Sequence, residues 1–188
     1  MQIDDIIQQI KQGLKSQNAD APYVVAIDGM SGSGKTTLGH LLQETFTESN
    51  LFHMDDYFLQ PHQRTPERLA EVGGNVDYER FKSEIILHLT DRNGLVYHKY
   101  DCCTQTLDAG IWTPWKPLVI IEGAYSQHPY LGDIYALRLF CEITKEEQRR
   151  RILKRNGADM LKRFESEWIP KENQYFERYG IKGKSGLQ

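Results

Sequence analysis

Apolar residues recur along this chain in two rhythms, one helical and one of short unbroken runs. Ile3, Ile6, Ile7, Ile10 and Leu14 are spaced for one face of a helix, with Gln, Asp and Lys between them. Residues 2–16 are therefore predicted to form an amphipathic helix docked on the domain. After the turn-rich Asn18-Ala19-Asp20-Ala21-Pro22 comes Tyr23-Val24-Val25-Ala26-Ile27-Asp28, an apolar, β-branched run that predicts a buried strand. Thr37-Leu38-Gly39-His40-Leu41-Leu42 opens a second helix. Leu51-Phe52-His53-Met54 predicts the next strand, with Asp55 and Asp56 at its C-terminal end. Residues 59–75, with Pro61, Pro66, Gly73 and Gly74, read as a long loop, and long loops in compact domains are commonly functional.

Helical spacing resumes from Asp77 to Thr90 through Phe81, Ile85 and Leu89. Leu95–Cys103 reads as a strand or hairpin arm after the Asn93-Gly94 turn. Leu118-Val119-Ile120-Ile121 is a buried strand running into Glu122-Gly123, and Leu137–Ile143 is another strand. Thr144 with Glu147 has the pattern of a capping box opening an Arg-rich helix over 145–155. Residues 158–178 read as helix interrupted at Pro170. Strands alternating with helices predict an α/β fold with a mainly parallel sheet, whose ligand crevice lies beyond the strands' carboxyl ends.

Composition narrows the function classes. The 188 residues suit one domain with a sizeable core. A net charge of −3 gives no electrostatic reason to expect nucleic acid or an acidic membrane as partner. No apolar run reaches membrane-spanning length, and the N-terminus lacks the layout of a signal peptide. The three cysteines, Cys102, Cys103 and Cys141, have neither disulfide-framework nor zinc-site spacing, which fits a cytoplasmic protein.

Between the first strand and the second helix lies Gly29-Met30-Ser31-Gly32-Ser33-Gly34-Lys35-Thr36-Thr37. It fits the phosphate-binding pattern G-x-x-x-x-G-K-[ST] in the strand–loop–helix context that pattern requires. Gly29, Gly32 and Gly34 let the backbone wrap a polyphosphate, so that N–H groups from Ser31 to Thr37 can turn inward at a helix N-terminus. Lys35 would reach the β- and γ-phosphates of ATP, and the Thr36 hydroxyl would ligate Mg²⁺.

Phosphoryl transfer also needs a further metal partner, a base and charge stabilisation. Glu122 follows an apolar strand and is the candidate for a Mg²⁺-bound water. Asp55 is the candidate general base for an acceptor hydroxyl. Asp56 would point elsewhere, because strand side chains alternate. Arg151 and Arg155 share a helical face and could close over the transferring group as a lid. Ordinary surface pairs Glu146–Arg150 and Glu147–Arg151 would explain part of the same charge pattern. Tyr57, Tyr78, Tyr97 and Tyr100 could serve acceptor binding or simple packing.

With these residues in hand, the chain resembles the uridine kinase / phosphoribulokinase / pantothenate kinase group of P-loop kinases. The resemblance rests on Ile27–Thr37, Met54-Asp55-Asp56-Tyr57-Phe58, Asn75-Val76-Asp77, Tyr100-Asp101, Ile120–Tyr125 and the Arg-rich helix, in matching order over roughly residues 22–155. It implies a P-loop NTPase three-layer sandwich with an Arg-rich lid helix. The N-terminal helix (1–20), kinase core (22–155) and C-terminal helical segment (156–188) would form one domain. It also implies that Asp55 is catalytic, that Asp77 binds acceptor ribose hydroxyls, that Tyr100 packs near the base, and that Glu122 lies near Mg²⁺. Gln105 stands where uridine kinases carry a histidine that helps read the base.

The expected activity is transfer of the ATP γ-phosphoryl group to a uridine- or cytidine-like nucleoside. The alternatives are a kinase for another small alcohol, or a catalytically silent ATP-binding sensor. Neither the Asn-Lys-x-Asp of GTPases nor the Leu-Ser-Gly-Gly-Gln of transporters occurs. The expected partner is a small hydroxyl acceptor, not nucleic acid or membrane, and a homo-oligomer is left open.

Overall fold

A computed structural model describes residues 2–185. Its strands are β1 (Tyr23–Gly29), β2 (Ser49–His53), β3 (Leu95–Tyr97), β4 (Tyr100–Asp101), β5 (Thr106–Leu107), β6 (Ile111–Thr113), β7 (Leu118–Glu122) and β8 (Leu137–Cys141). Its helices are α1 (Ile3–Ser16), α2 (Lys35–Thr45), α3 (Pro66–Ala70), α4 (Tyr78–Glu84), α5 (Lys145–Arg163), α6 (Ile169–Tyr179) and α7 (Ile181–Lys184). The central sheet has four parallel strands in the order β2-β7-β1-β8. Two small antiparallel pairs, β3-β6 and β4-β5, stand apart from it. This is the mainly parallel α/β sandwich expected from the alternation of runs and amphipathic segments.

Each inner strand of the sheet, β1 and β7, is buried on both faces and so reads as an apolar run, whereas the edge strands β2 and β8 carry polar positions at Asn50 and Arg138. The period-2 pleat then splits the run between two cores. Val25, Ile27, Leu118 and Ile120 face α1 and α2, packing with Ile6, Ile10 and Leu42. Val24, Ala26, Val119 and Ile121 face the other way, against Phe81 and Ile85 after α4 begins and Tyr175 of α6. Helix α1 carries Asp4 and Asp5 in its first turn and Lys15 in its last, the charge order that complements its dipole.

Several expectations change. Asp55 and Asp56 lie on a 3₁₀ turn (Met54–Tyr57), because the strand stops at His53. The two side chains still diverge, but turn winding does this and not strand alternation. The expected long loop at 59–75 contains a 3₁₀ turn (Pro61–Gln63) and α3. Arg68 ties it down, donating from Nη2 to the Val76 carbonyl (2.9 Å) and from Nε to that of Gly74 (3.1 Å).

The helix expected over 77–90 is α4 followed by a separate 3₁₀ turn (Ile86–His88). The arm at 95–103 is broken into β3 and β4. Strand β8 ends at Cys141, two residues short of the predicted end. Helix α5 runs past 155 to Arg163, with Gly157 in an extended, positive-φ conformation (φ 81°, ψ 174°) that kinks it. Pro170 does not interrupt the following helix. A π turn over Phe164–Trp168 winds the chain into α6, and Pro170 falls in the first turn, where a missing N–H is tolerated. Met1 and residues 186–188, part of the expected N-terminal and C-terminal segments, lie outside the described residues.

Candidate active site

Three neighbouring strands share one rung at the end of β2 and β7: Ile27 of β1 and His53 of β2 both pair with Glu122 of β7. The loop after β1 therefore opens directly above the end of β7. Gly29 has φ 138°, and a Cβ there would run into the Cys141 backbone of β8. Gly34 has φ 101° and turns the chain into α2. Lys35 Nζ donates to the carbonyls of Gly29 (2.9 Å) and Met30 (3.0 Å), which folds the side chain over the loop. The Ser33 hydroxyl is buried without a partner among the described residues. Thr36 and Thr37 are exposed at the start of α2.

Glu122 is buried (3% exposed) and is the hub of the strand ends. Its carboxylate accepts from the Thr36 hydroxyl at 3.2 Å and lies 2.6 Å from His53 Nδ1. That hydrogen bond raises the His53 pKa against the opposing effect of burial. Asp55 is open to the crevice yet surrounded by protein. Desolvation, then the Glu122 charge, raises its pKa, while Lys35, His53 and Arg155 oppose the shift. Asp56 faces away and pairs with Lys99 at 3.0 Å.

Helix α5 contacts the glycine-rich loop directly. Arg151 Nη1 donates to the Gly32 carbonyl (3.1 Å) and Arg151 Nε to Glu147 (2.6 Å). Thr144 caps α5 by accepting from the Glu147 N–H, as expected, but the Glu147 carboxylate takes Arg150 and Arg151. Arg155 reaches the crevice.

Two further acidic residues, to which the sequence assigns no role, hold the loop from below and from the side of α6. Asp28, fully buried at the end of β1, accepts from the Gly29 N–H (2.7 Å), the Gln127 N–H (3.1 Å) and the Tyr175 hydroxyl (2.7 Å). Burial outweighs those bonds and pushes its pKa up to about 6. Glu172, one turn before Tyr175 on α6, accepts from the Ser31 N–H at 3.0 Å and from the Ser31 hydroxyl. Burial raises its pKa as well. Gln148 of α5 holds the same serine through its carbonyl (3.0 Å). An acid closing an otherwise apolar strand, and an acid on the aromatic face of a helix, are the available sequence signals.

These groups surround two cavities. One, of about 290 Å³, is lined by the loop residues Ser31, Gly32, Gly34, Lys35, Thr36 and Thr37 together with Asp55, Glu122, Arg151 and Arg155. The second, of about 120 Å³, is walled by Phe58, Val76, Tyr125, Phe164 and Trp168. Ser31, Asp55, Ala124, Arg155 and Glu172 border both.

Three predicted acceptor residues line neither cavity. Asp77 caps α4 by accepting from the Arg80 N–H and also holds Gln63. Tyr57 is fully buried and donates to Glu84 (3.0 Å). Tyr100 accepts from Arg64 (2.9 Å).

The donor set suits a nucleotide with Mg²⁺. The loop is Cβ-free where the backbone bends most, and the orphan Ser33 hydroxyl and Lys35 supply groups for phosphate oxygens. Among the described residues no three His, Cys, Asp or Glu side chains could hold a metal by themselves. A Mg²⁺ beside Thr36 and Glu122 would take its remaining ligands from phosphate and water, its usual habit.

The sheet order, the glycine-rich loop between β1 and α2, and the acid at the end of β7 define a P-loop NTPase fold of the kind found in small-molecule kinases. The solved structures it is similar to agree. One is a possible uridine kinase from Bacillus stearothermophilus, with a TM-score of 0.70 at 21% identity, covering 100% of this chain and 98% of that one. Another is a candidate fructose transport system kinase from Silicibacter sp. TM1040, with a TM-score of 0.76 at 19% identity, covering 100% and 98%. A D-glycerate 3-kinase from Cryptococcus neoformans gives a TM-score of 0.56 at 12% identity, covering 90% and 85%. At these identities the likeness is one of fold. No protein-family profile and no curated protein matches the chain. No helix of the described residues is long and apolar enough to cross a membrane.

Proposed function

We propose that the whole chain works as one kinase domain, transferring the γ-phosphoryl group of ATP to a hydroxyl of a small acceptor, a nucleoside-like alcohol. The observation that carries this reading is the junction of the two cavities. Asp55 stands between a phosphate loop and a small aromatic-walled pocket, where a base must sit to serve both substrates.

In this reading Asp55 accepts the proton of the acceptor hydroxyl. The hydroxyl oxygen bonds to the γ-phosphorus as its bond to the ADP oxygen breaks, and the proton later leaves to solvent. Ser31–Thr37 cradle the phosphates. Lys35 exchanges its loop carbonyls for phosphate oxygens. Arg151 and Arg155 stabilise the charge on the group in flight. Mg²⁺ held at Thr36 and Glu122 would neutralise charge on the phosphate oxygens. Asp77 and Tyr100, which hold Gln63 and Arg64, would then act on the acceptor only through the loop 59–76, and Tyr57 only through its packing on α4. The neighbours described as kinases of uridine, fructose transport and glycerate support the reaction class and leave the acceptor open. A cytoplasmic setting fits the free thiols at Cys102, Cys103 and Cys141.

The test is ADP formation from Mg-ATP against a panel of nucleosides, sugars and other alcohols. Stimulation by a nucleoside supports the full reading. Stimulation by another alcohol keeps the mechanism and moves the acceptor. ATP binding with no stimulation by any alcohol would replace the kinase with a sensor.

A further inference from the structure

The acceptor pocket presents mostly hydrogen-bond acceptors. Asp55 and Glu172 contribute carboxylates, and Asn75 Oδ1 is buried there without a partner among the described residues. Among the described residues, Arg155 is the single cationic side chain on its wall. The rest of the lining is largely aromatic or aliphatic, suited to the carbon face of a ring. Glu172 is held in place, 6% exposed, by the two Ser31 bonds and by Tyr175, which fastens α6 to Asp28.

An orphan acceptor in an apolar wall is costly unless a ligand supplies a donor. A negatively charged ligand would have to approach two carboxylates at short range in a partly dry pocket. An uncharged ligand with several hydroxyls meets neither difficulty. Its O–H groups can donate to Asn75 and Glu172, while one further hydroxyl lies toward Asp55.

Resting on the kinase reading above, we infer that the acceptor is an uncharged, hydroxyl-rich molecule, and that Glu172 and Asn75 determine that specificity. Glu172 is a substrate-binding residue as well as a brace for the phosphate loop. Acceptors bearing a carboxylate or phosphate are excluded by its charge together with that of Asp55.

The experiment pairs turnover with direct binding. ADP formation and calorimetric titration are run with neutral polyols (uridine, cytidine, ribose, fructose) and with anionic alcohols (glycerate, pantothenate, ribulose 5-phosphate). Both are repeated for Glu172→Gln and Asn75→Ala. We expect a neutral polyol to bind and turn over. Glu172→Gln should raise its KM or Kd by roughly 10- to 100-fold, the weight of a hydrogen bond to a charged group, with the KM for ATP moving far less.

Preference for an anionic acceptor overturns the inference and leaves the kinase reading intact. An equal rise in the KM for ATP overturns it too, since Glu172 would then only brace the loop. Neutral-polyol binding that depends on Glu172 without any ADP formed would support the inference and remove the kinase reading. Absence of both binding and turnover for every neutral polyol overturns the inference.

Discussion

At the scale of single residues, Lys35 and Asp55 divide the work, and their loss should look different. Lys35 is one of the cations on the crevice wall nearest the loop, and among the described residues its hydrogen-bond partners are backbone carbonyls. Lys35→Ala should therefore cost roughly 10³-fold in kcat/KM and weaken ATP binding. Asp55→Asn keeps the shape and removes the base. It should lower kcat by ~10²–10⁴ while ATP affinity stays close to that of the parent. Single-turnover kinetics beside nucleotide titration separates the two. If Asp56→Asn proves the damaging change, Asp55 is not the base.

These two residues were legible in the sequence because their chemistry demands contiguity. A phosphate cradle must be one short stretch, and Asp55 follows the strand that ends beside it. Glu172 was not legible: it meets Ser31 across 141 residues, through a docking of helices that no local spacing encodes.

At the scale of elements, the stretch 59–76 shows how a segment rich in Pro and Gly becomes ordered. Arg68 takes the carbonyls of Gly74 and Val76, stacks over the Tyr78 ring at 3.9 Å, and pairs with Glu79. Its planar fork serves all these partners at once, which an ammonium cannot. Arg68→Ala leaves the Val76 carbonyl unpaired beside the core, at a cost of about 1–3 kcal/mol. We expect a lower urea midpoint, faster proteolytic clipping within 59–76, and no rescue by Arg68→Lys. Unchanged clipping would mean that the local turns hold the segment unaided. The periodicity argument failed here because α3 has five residues, too few for an amphipathic stripe to register. It failed differently at Pro170, where the sequence signals a break and the π turn at Phe164–Trp168 absorbs it.

Across the whole molecule, two carboxylates on different elements, Asp55 after β2 and Glu172 on α6, line one crevice, while a third, Asp28 on β1, is fully buried and tied to α6 through Tyr175; burial raises the pKa of each. The sign of the consequence follows from linkage. A carboxyl whose pKa is higher in the folded than in the unfolded chain binds its proton more tightly when folded. Its contribution to stability is complete below the unfolded value and is lost as pH rises through the folded one. For Asp28 that window runs from 3.8 to about 6. The shift corresponds to on the order of 3 kcal/mol, which falls away toward neutrality. Asp55 titrates in the same sense, yet as a base it must be ionised to work. Stability should therefore decline over the same pH range in which activity rises. Urea midpoints and kcat measured from pH 4 to 8 should show opposite slopes, and Asp28→Asn should flatten the first. Midpoints that climb steadily from pH 4 to 7 would mean that hydrogen bonds, not desolvation, dominate the buried carboxylates. The arrangement has a physical logic. Holding anionic side chains where a polyphosphate must bind is unfavourable in isolation, and the cations at Lys35, Arg151 and Arg155 line the same crevice. Charge that is costly in the resting fold becomes useful once a nucleotide draws those cations inward and an acceptor proton needs a destination.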